Sequence, residues 1–222
     1  MLFLNPPFGN YISLPNTTSI KGSYTLKPRS GLVKQIWSTL YYDPKYNGWI
    51  NKIGLRNKGI DYAIQHYDDN HIVSIAIMEK SEVDKVKEKI PEHMNIELNI
   101  SCPNTDEALV HESLNVFLNT KRKWCIIKLS PLTEMKLVDM YYKQGFRQFH
   151  CSNTLPVKHG GLSGPYLQTY TLPLIKSIRT KYPNTEIIGG GGIRYIEDIQ
   201  KYKKAGTDHF SISSLLFNPI QF

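Results

Sequence analysis

The sequence is poor in cysteine: Cys102, Cys125 and Cys151 are its only three among 222 residues, an odd number with no CxxC spacing. That excludes a disulfide-stapled framework and a structural zinc site, and it fits a reducing compartment. No apolar run approaches the roughly 18 residues of a membrane span. The opening MLFLNPPFGN has no basic leader and reaches Pro6 and Pro7 early, so neither a secretory signal nor a transit peptide is expected, and the expected location is cytoplasmic. Walker lysine, HExxH and nucleophile-elbow patterns are missing, and Gly189 to Gly192 is not a GxGxxG fingerprint because no later acidic partner follows it. The seven histidines lack ligand spacing, so surface or core-satisfied roles are expected for them and no metal site. Internal repeats and low-complexity tracts are also lacking, and 41% hydrophobic with 21% charged residues excludes disorder and collagen-like structure.

Charge is in excess of one sign. With 27 Lys and Arg against 19 Asp and Glu, the formal charge of +8 favours anionic ligands. Much of it sits in helix-like stretches such as KSEVDKVKEKI, which read as solvated faces, so no nucleic-acid partner is expected.

What is present is alternation. From Ile72 onward, short β-type runs at 71–78, 95–101, 124–130, 146–153, 186–192 and 209–215 alternate with helical spacing at 81–90, 107–119, 133–144, 168–181 and 195–205. This is the pattern of βα units on a parallel sheet. Upstream, 19–25 reads as a strand, 57–67 as a helix and 26–50 as loop, with Pro28, Gly31, Pro44 and Gly48. One domain over residues 1–222 is expected: a (β/α)8 barrel, with an open doubly wound sheet as the alternative.

The unusual polar residues fall at the C-terminal ends of these strands, where barrels keep their functional groups. NISCPNT (99–105) sets Asn99 and Asn104 around Cys102 and a stiffening proline. Each carboxamide offers a donor and an acceptor to a flat ring, and a thiol in electropositive surroundings can move a proton. Lys128 stands next to the end of the otherwise apolar CIIKL and can hold an anion or stabilise negative charge developing on a cofactor. Two glycine clusters, 160–164 and 189–192, with Ser213 and Ser214, suit a phosphate site built on late loops of the barrel. Cys125 and Cys151 sit in apolar strands as small hydrophobes.

Taken together, NIELNISCPNT, IIKLSP, Ser152-Asn153-Thr154, GGLSG, IIGGGGI and ISSLLF occur in the order found in the FMN-dependent dihydroorotate dehydrogenases, and the sequence resembles that family along nearly its whole length. NPPFG, GSYTLKPRSG and WINKIGLRNKGID are weaker upstream matches. The resemblance implies oxidation of dihydroorotate to orotate in pyrimidine biosynthesis, with FMN as hydride acceptor. It implies Asn51, Asn99, Asn104, Asn153 and Thr154 as substrate ligands and Cys102 as the base, as in the soluble class of the family. It also implies Lys128 against the flavin, Gly161, Gly191, Gly192, Ser213 and Ser214 around its phosphate, and a possible homodimer. The sequence departs from the family pattern between NPPFG and GSYT, where about twelve residues stand in place of a strand, a lysine-bearing turn and a helix. Lys21 is then the candidate for the second active-site lysine. The barrel is thus expected to be reduced in its first βα unit, and the alternative to an enzyme is a catalytically impaired or inactive barrel retained as a pyrimidine- or phosphate-ligand or protein-binding module.

Overall fold

The structure is a computed structural model that describes residues 1–100 and 110–217. Eight parallel strands, β1 (Leu2–Leu4), β2 (Thr17–Tyr24), β5 (His71–Ala76), β6 (Ile96–Asn99), β7 (Cys125–Leu129), β8 (Gln148–Cys151), β11 (Glu186–Gly190) and β12 (His209–Ile212), close a barrel. The remaining four, β3 (Tyr41–Asp43), β4 (Gly48–Asn51), β9 (Leu155–Val157) and β10 (Gly160–Ser163), form a separate antiparallel sheet in the order β3, β4, β10, β9. Around the barrel lie α1 (Leu32–Thr39), α2 (Ile60–Gln65), α3 (Val83–Lys89), α4 (Met135–Gln144), α5 (Gln168–Lys181) and α6 (Ile196–Ala205). The closed (β/α)8 architecture is the one expected.

Alternation along each strand sorts the side chains into two cores. Phe3, Ile20, Ile72, Trp124, Ile126 and Ile188 make a small apolar cluster inside the barrel, toward the N-terminal ends of the strands. Their neighbours Val73, Ile75, Ile96, Leu98, Ile127 and Ile187 face outward and pack with Val86 of α3, Val138 of α4, Ile175 and Ile178 of α5, and Tyr202 of α6. The strand runs read as nearly continuous hydrophobics because both faces are covered.

Helix ends follow their local chemistry. Gly145 and Gly206 close α4 and α6 in the left-handed region, at φ 107° and 105°. Asp198 Oδ2 accepts the Arg194 and Tyr195 N–H groups at 2.9 and 3.2 Å and caps the start of α6.

Two sequence expectations need correction. Residues 26–50 are not loop, since they hold α1, β3 and β4; α1 buries no residue and leaves Val33 and Trp37 exposed, so no core-facing stripe marked it. The helix expected at 107–119 is, in its described part, chiefly a short 3-10 turn at Leu114–Phe117. Between β1 and β2 there is a 3-10 turn (Phe8–Asn10) and no α-helix, in keeping with the shortened first unit.

Candidate active site

At the C-terminal end of the barrel, β6, β7 and β8 carry Asn99, Lys128 and His150 at one level, because Asn99 pairs with Lys128 and Lys128 with His150 across the ladders. Just beyond β8, the Asn153 N–H bonds to Leu129 O at 2.9 Å and prolongs the β7 ladder. This brings Asn153 Nδ2 to Asn99 Oδ1, 3.1 Å away, while Asn99 Nδ2 donates to Ser23 Oγ at 2.8 Å. Asn153 Oδ1 accepts the Thr154 N–H at 3.0 Å. Two carboxamides from separate strands are thus edge to edge beside a lysine.

A cleft opens next to them, lined by Lys128, Asn153, Thr154, Gly164, Gly191, Gly192, Ser213 and Ser214 among others. Gly191 and Gly192 lie at φ 98° and 77°, a region that disfavours side chains, and a Cβ on Gly192 would stand 2.4 Å from Gly164 O and Pro165 Cα. The two glycine loops therefore pack backbone to backbone, which leaves N–H groups able to approach a phosphate. Asn5 also lines the cleft, and its Oδ1 is buried with no hydrogen-bond partner among the described residues. Backbone donors and a lysine fit a phosphorylated cofactor.

Beneath the mouth lies a polar layer. Glu97, two residues before Asn99 on β6, is fully buried inside the barrel. Its Oε1 accepts from Ser74 Oγ at 2.7 Å and Lys128 Nζ at 3.2 Å, and its Oε2 accepts from His150 Nδ1 at 2.5 Å. Burial alone would raise the Glu97 pKa, but Lys128, with the His150 and Ser74 hydrogen bonds, holds the carboxyl well below its usual range. Burial pushes the His150 pKa down despite Glu97. The resident charges are one carboxylate and one ammonium.

The structure brings Asn99, Lys128, Asn153, Thr154, Gly191, Gly192, Ser213 and Ser214 together at one end of the barrel. Asn51 and Gly161 are paired with each other in the β4 and β10 sheet, where a Cβ on Gly161 would lie 2.5 Å from Thr154 Oγ1. Lys21 is not brought to this group: it follows the inward Ile20 on β2, and its charge acts on His71 and Asp68. Cys102 and Asn104 lie outside the described residues. Sequence reasoning missed Glu97, Ser74, Ser211 and Asn5, and it left His150 as an ordinary core histidine. Glu97 had a signal, a carboxylate inside the apolar run NIELNI; the others had none.

The sequence matches the family described as dihydroorotate dehydrogenase over residues 12–220. The chain belongs to the dihydroorotate dehydrogenase family. Members of that family are oxidoreductases that use a flavin. Among its relatives are proteins named dihydroorotate dehydrogenase B (NAD(+)), catalytic subunit. The one from Thermotoga maritima is 27% identical, covering 98% of this chain and 93% of the relative. Those from Oceanobacillus iheyensis (30% identical, 78% of this chain, 68% of the relative) and Alkaliphilus oremlandii (29%, 85% and 75%) are similar too. The Thermotoga alignment runs over 259 positions against a chain of 222 residues, so that dihydroorotate dehydrogenase carries internal segments this member of the family does without. No helix among the described residues is long and apolar enough to cross a membrane.

Proposed function

We propose that the chain oxidises dihydroorotate to orotate with FMN. The observation that carries this reading is the 3.1 Å contact between Asn99 and Asn153, with Lys128 on the strand between them, directly after which the chain continues into the rest of NISCPNT. When bound, FMN supplies a two-electron acceptor for the hydride that leaves the substrate's C6. Asn99, Asn104 and Asn153, with Thr154 and with Asn51 from the antiparallel sheet, hold the ring amides and carboxylate. Cys102 takes the proton from C5. Lys128 sets positive charge beside the flavin, and Gly191, Gly192, Ser213 and Ser214 hold the phosphate, with Gly161 behind Thr154. By analogy with the names of its relatives, reoxidation by NAD+ through a separate subunit is the corresponding acceptor route.

Flavin content and turnover test this. Purified protein is expected to carry or take up FMN, seen as a flavin absorption band, and to produce orotate. Cys102→Ala is expected to lower turnover by at least about 100-fold, the usual contribution of a positioned base, with flavin content retained. Unchanged turnover in that variant would remove Cys102 from the role.

The position of Lys21 favours a second reading, a binding module that has lost catalysis, because the second lysine expected from the family is not at the cleft. Orotate that raises the Tm of protein to which FMN does not bind would support it.

A further inference from the structure

We propose that Glu97 is the positioning residue of Lys128, and that His150 in turn holds Glu97. The proposal rests on the reading that the cleft takes FMN. A fully buried carboxylate costs several kcal/mol in lost hydration unless its oxygens are satisfied. Here both are: Ser74 and Lys128 share Oε1, and His150 takes Oε2. The bonds around the imidazole fix its tautomer. Nε2 accepts from the Ser211 hydroxyl at 2.7 Å and from Asn5 Nδ2 at 3.2 Å, which leaves Nδ1–H to donate to Glu97.

The charge balance of the layer follows. The elements packed around it present Glu97 from β6, Lys128 from β7 and His150 from β8, while β5, β12 and the residue after β1 present Ser74, Ser211 and Asn5, which do not titrate. With His150 a neutral donor, Glu97 is the one counter-charge to the Lys128 ammonium among the described residues. A lysine is a point charge on a flexible stem. An anchored carboxylate selects one direction for that stem. Removing it releases the ammonium from the cleft floor and weakens the positive field available to a reduced, anionic flavin.

The test is the midpoint potential of bound FMN in wild type, Glu97→Gln, Glu97→Asp, Lys128→Met and the Glu97→Gln/Lys128→Met pair. Glu97→Gln is expected to lower the potential by at least half the fall seen in Lys128→Met. Glu97→Asp should restore part of it, and the double variant should lie no lower than Lys128→Met alone, because Glu97 acts through the lysine. A potential that stays put or rises in Glu97→Gln, or effects that add in full, would overturn the proposal. A second measurement needs neither flavin nor the Glu97 variants. In the apoprotein, the ¹⁵N resonances of His150 should report the Nδ1–H tautomer, and Lys128→Met should move the Nδ1–H signal because Glu97 then keeps only the neutral donors Ser74 and His150. A signal unmoved by Lys128→Met would refute the coupling. A wild-type chain that takes up no FMN would refute the cofactor reading, and the apoprotein measurement would still decide the Glu97 proposal.

Discussion

Glu97 sits between Ile96 and Leu98, and the alternation that turns those two toward the helices turns the carboxylate into the barrel. Its effect on stability has a definite sign. The folded-state pKa is lowered from 4.5 to about 2, so its contribution is complete above about pH 4.5 and is lost as pH falls toward 2. Asp68, Asp139, Glu186 and Asp198 are lowered as well and add to acid sensitivity, so a difference between two proteins is needed to isolate Glu97. At pH 7, Glu97→Gln should be less stable by about 3–5 kcal/mol, the usual cost of breaking a buried pair. The gap in Tm between wild type and the variant should narrow as pH drops below 4.5; a gap that stays constant to pH 3 would mean that Glu97 is not held ionised. The cysteines allow a second prediction. Burial pushes the Cys125 thiol up to about 12 and the Cys151 thiol higher still. Iodoacetamide at pH 8 should therefore leave both unmodified in native protein and label Cys102, with orotate protecting it; peptide mass spectrometry reads the outcome.

Elements were legible in the sequence in proportion to the core they bury. The barrel strands β5 to β8, β11 and β12 showed as apolar runs because both their faces are packed, and α4 to α6 because each buries one face. β1 is three residues long and stops at a proline pair, too short for a pattern, and α1 has no buried face to leave one. The mouth residues were legible for a different reason: a carboxamide, lysine or glycine at the end of an apolar run has no packing role to explain it. The polar layer was not, because its hydrogen bonds join β1, β5, β6, β7, β8 and β12, strands far apart in sequence. The glycine loop after β11 is the element on which the cleft depends most. Gly192→Ala places a Cβ against Gly164 O and Pro165 Cα at a positive φ, so the two loops must separate. A residue in that region costs of order 1–3 kcal/mol, and the cleft is expected to lose FMN, with Kd rising at least about tenfold by the 1.4 kcal/mol rule. Wild-type affinity in Gly192→Ala would place the phosphate elsewhere.

At the scale of the whole molecule, the barrel divides its work between its ends. The mouth carries lysine, asparagines and glycine loops, and the far end is closed by the apolar cluster around Phe3. Phe3 comes from the shortest of the barrel strands, yet β1 joins β12 to β2 and so completes the ring. Its side chain is fully buried and meets Trp124 and His209 edge to face, with centroids 5.5 and 5.9 Å apart. The reduced first unit thus keeps its place in the barrel through an inward aromatic ring, although no α-helix lies between β1 and β2. Phe3→Ala should cost about 3–5 kcal/mol through the cavity it leaves, or roughly 10 °C in Tm for a domain of this size. Because the cavity opens at the end away from the cleft, FMN affinity per folded molecule should be unchanged at temperatures well below the new Tm. If Phe3→Ala instead weakened FMN binding as much as Gly192→Ala does, the two ends would not be independent, and the small inner core would have to be counted as part of the site.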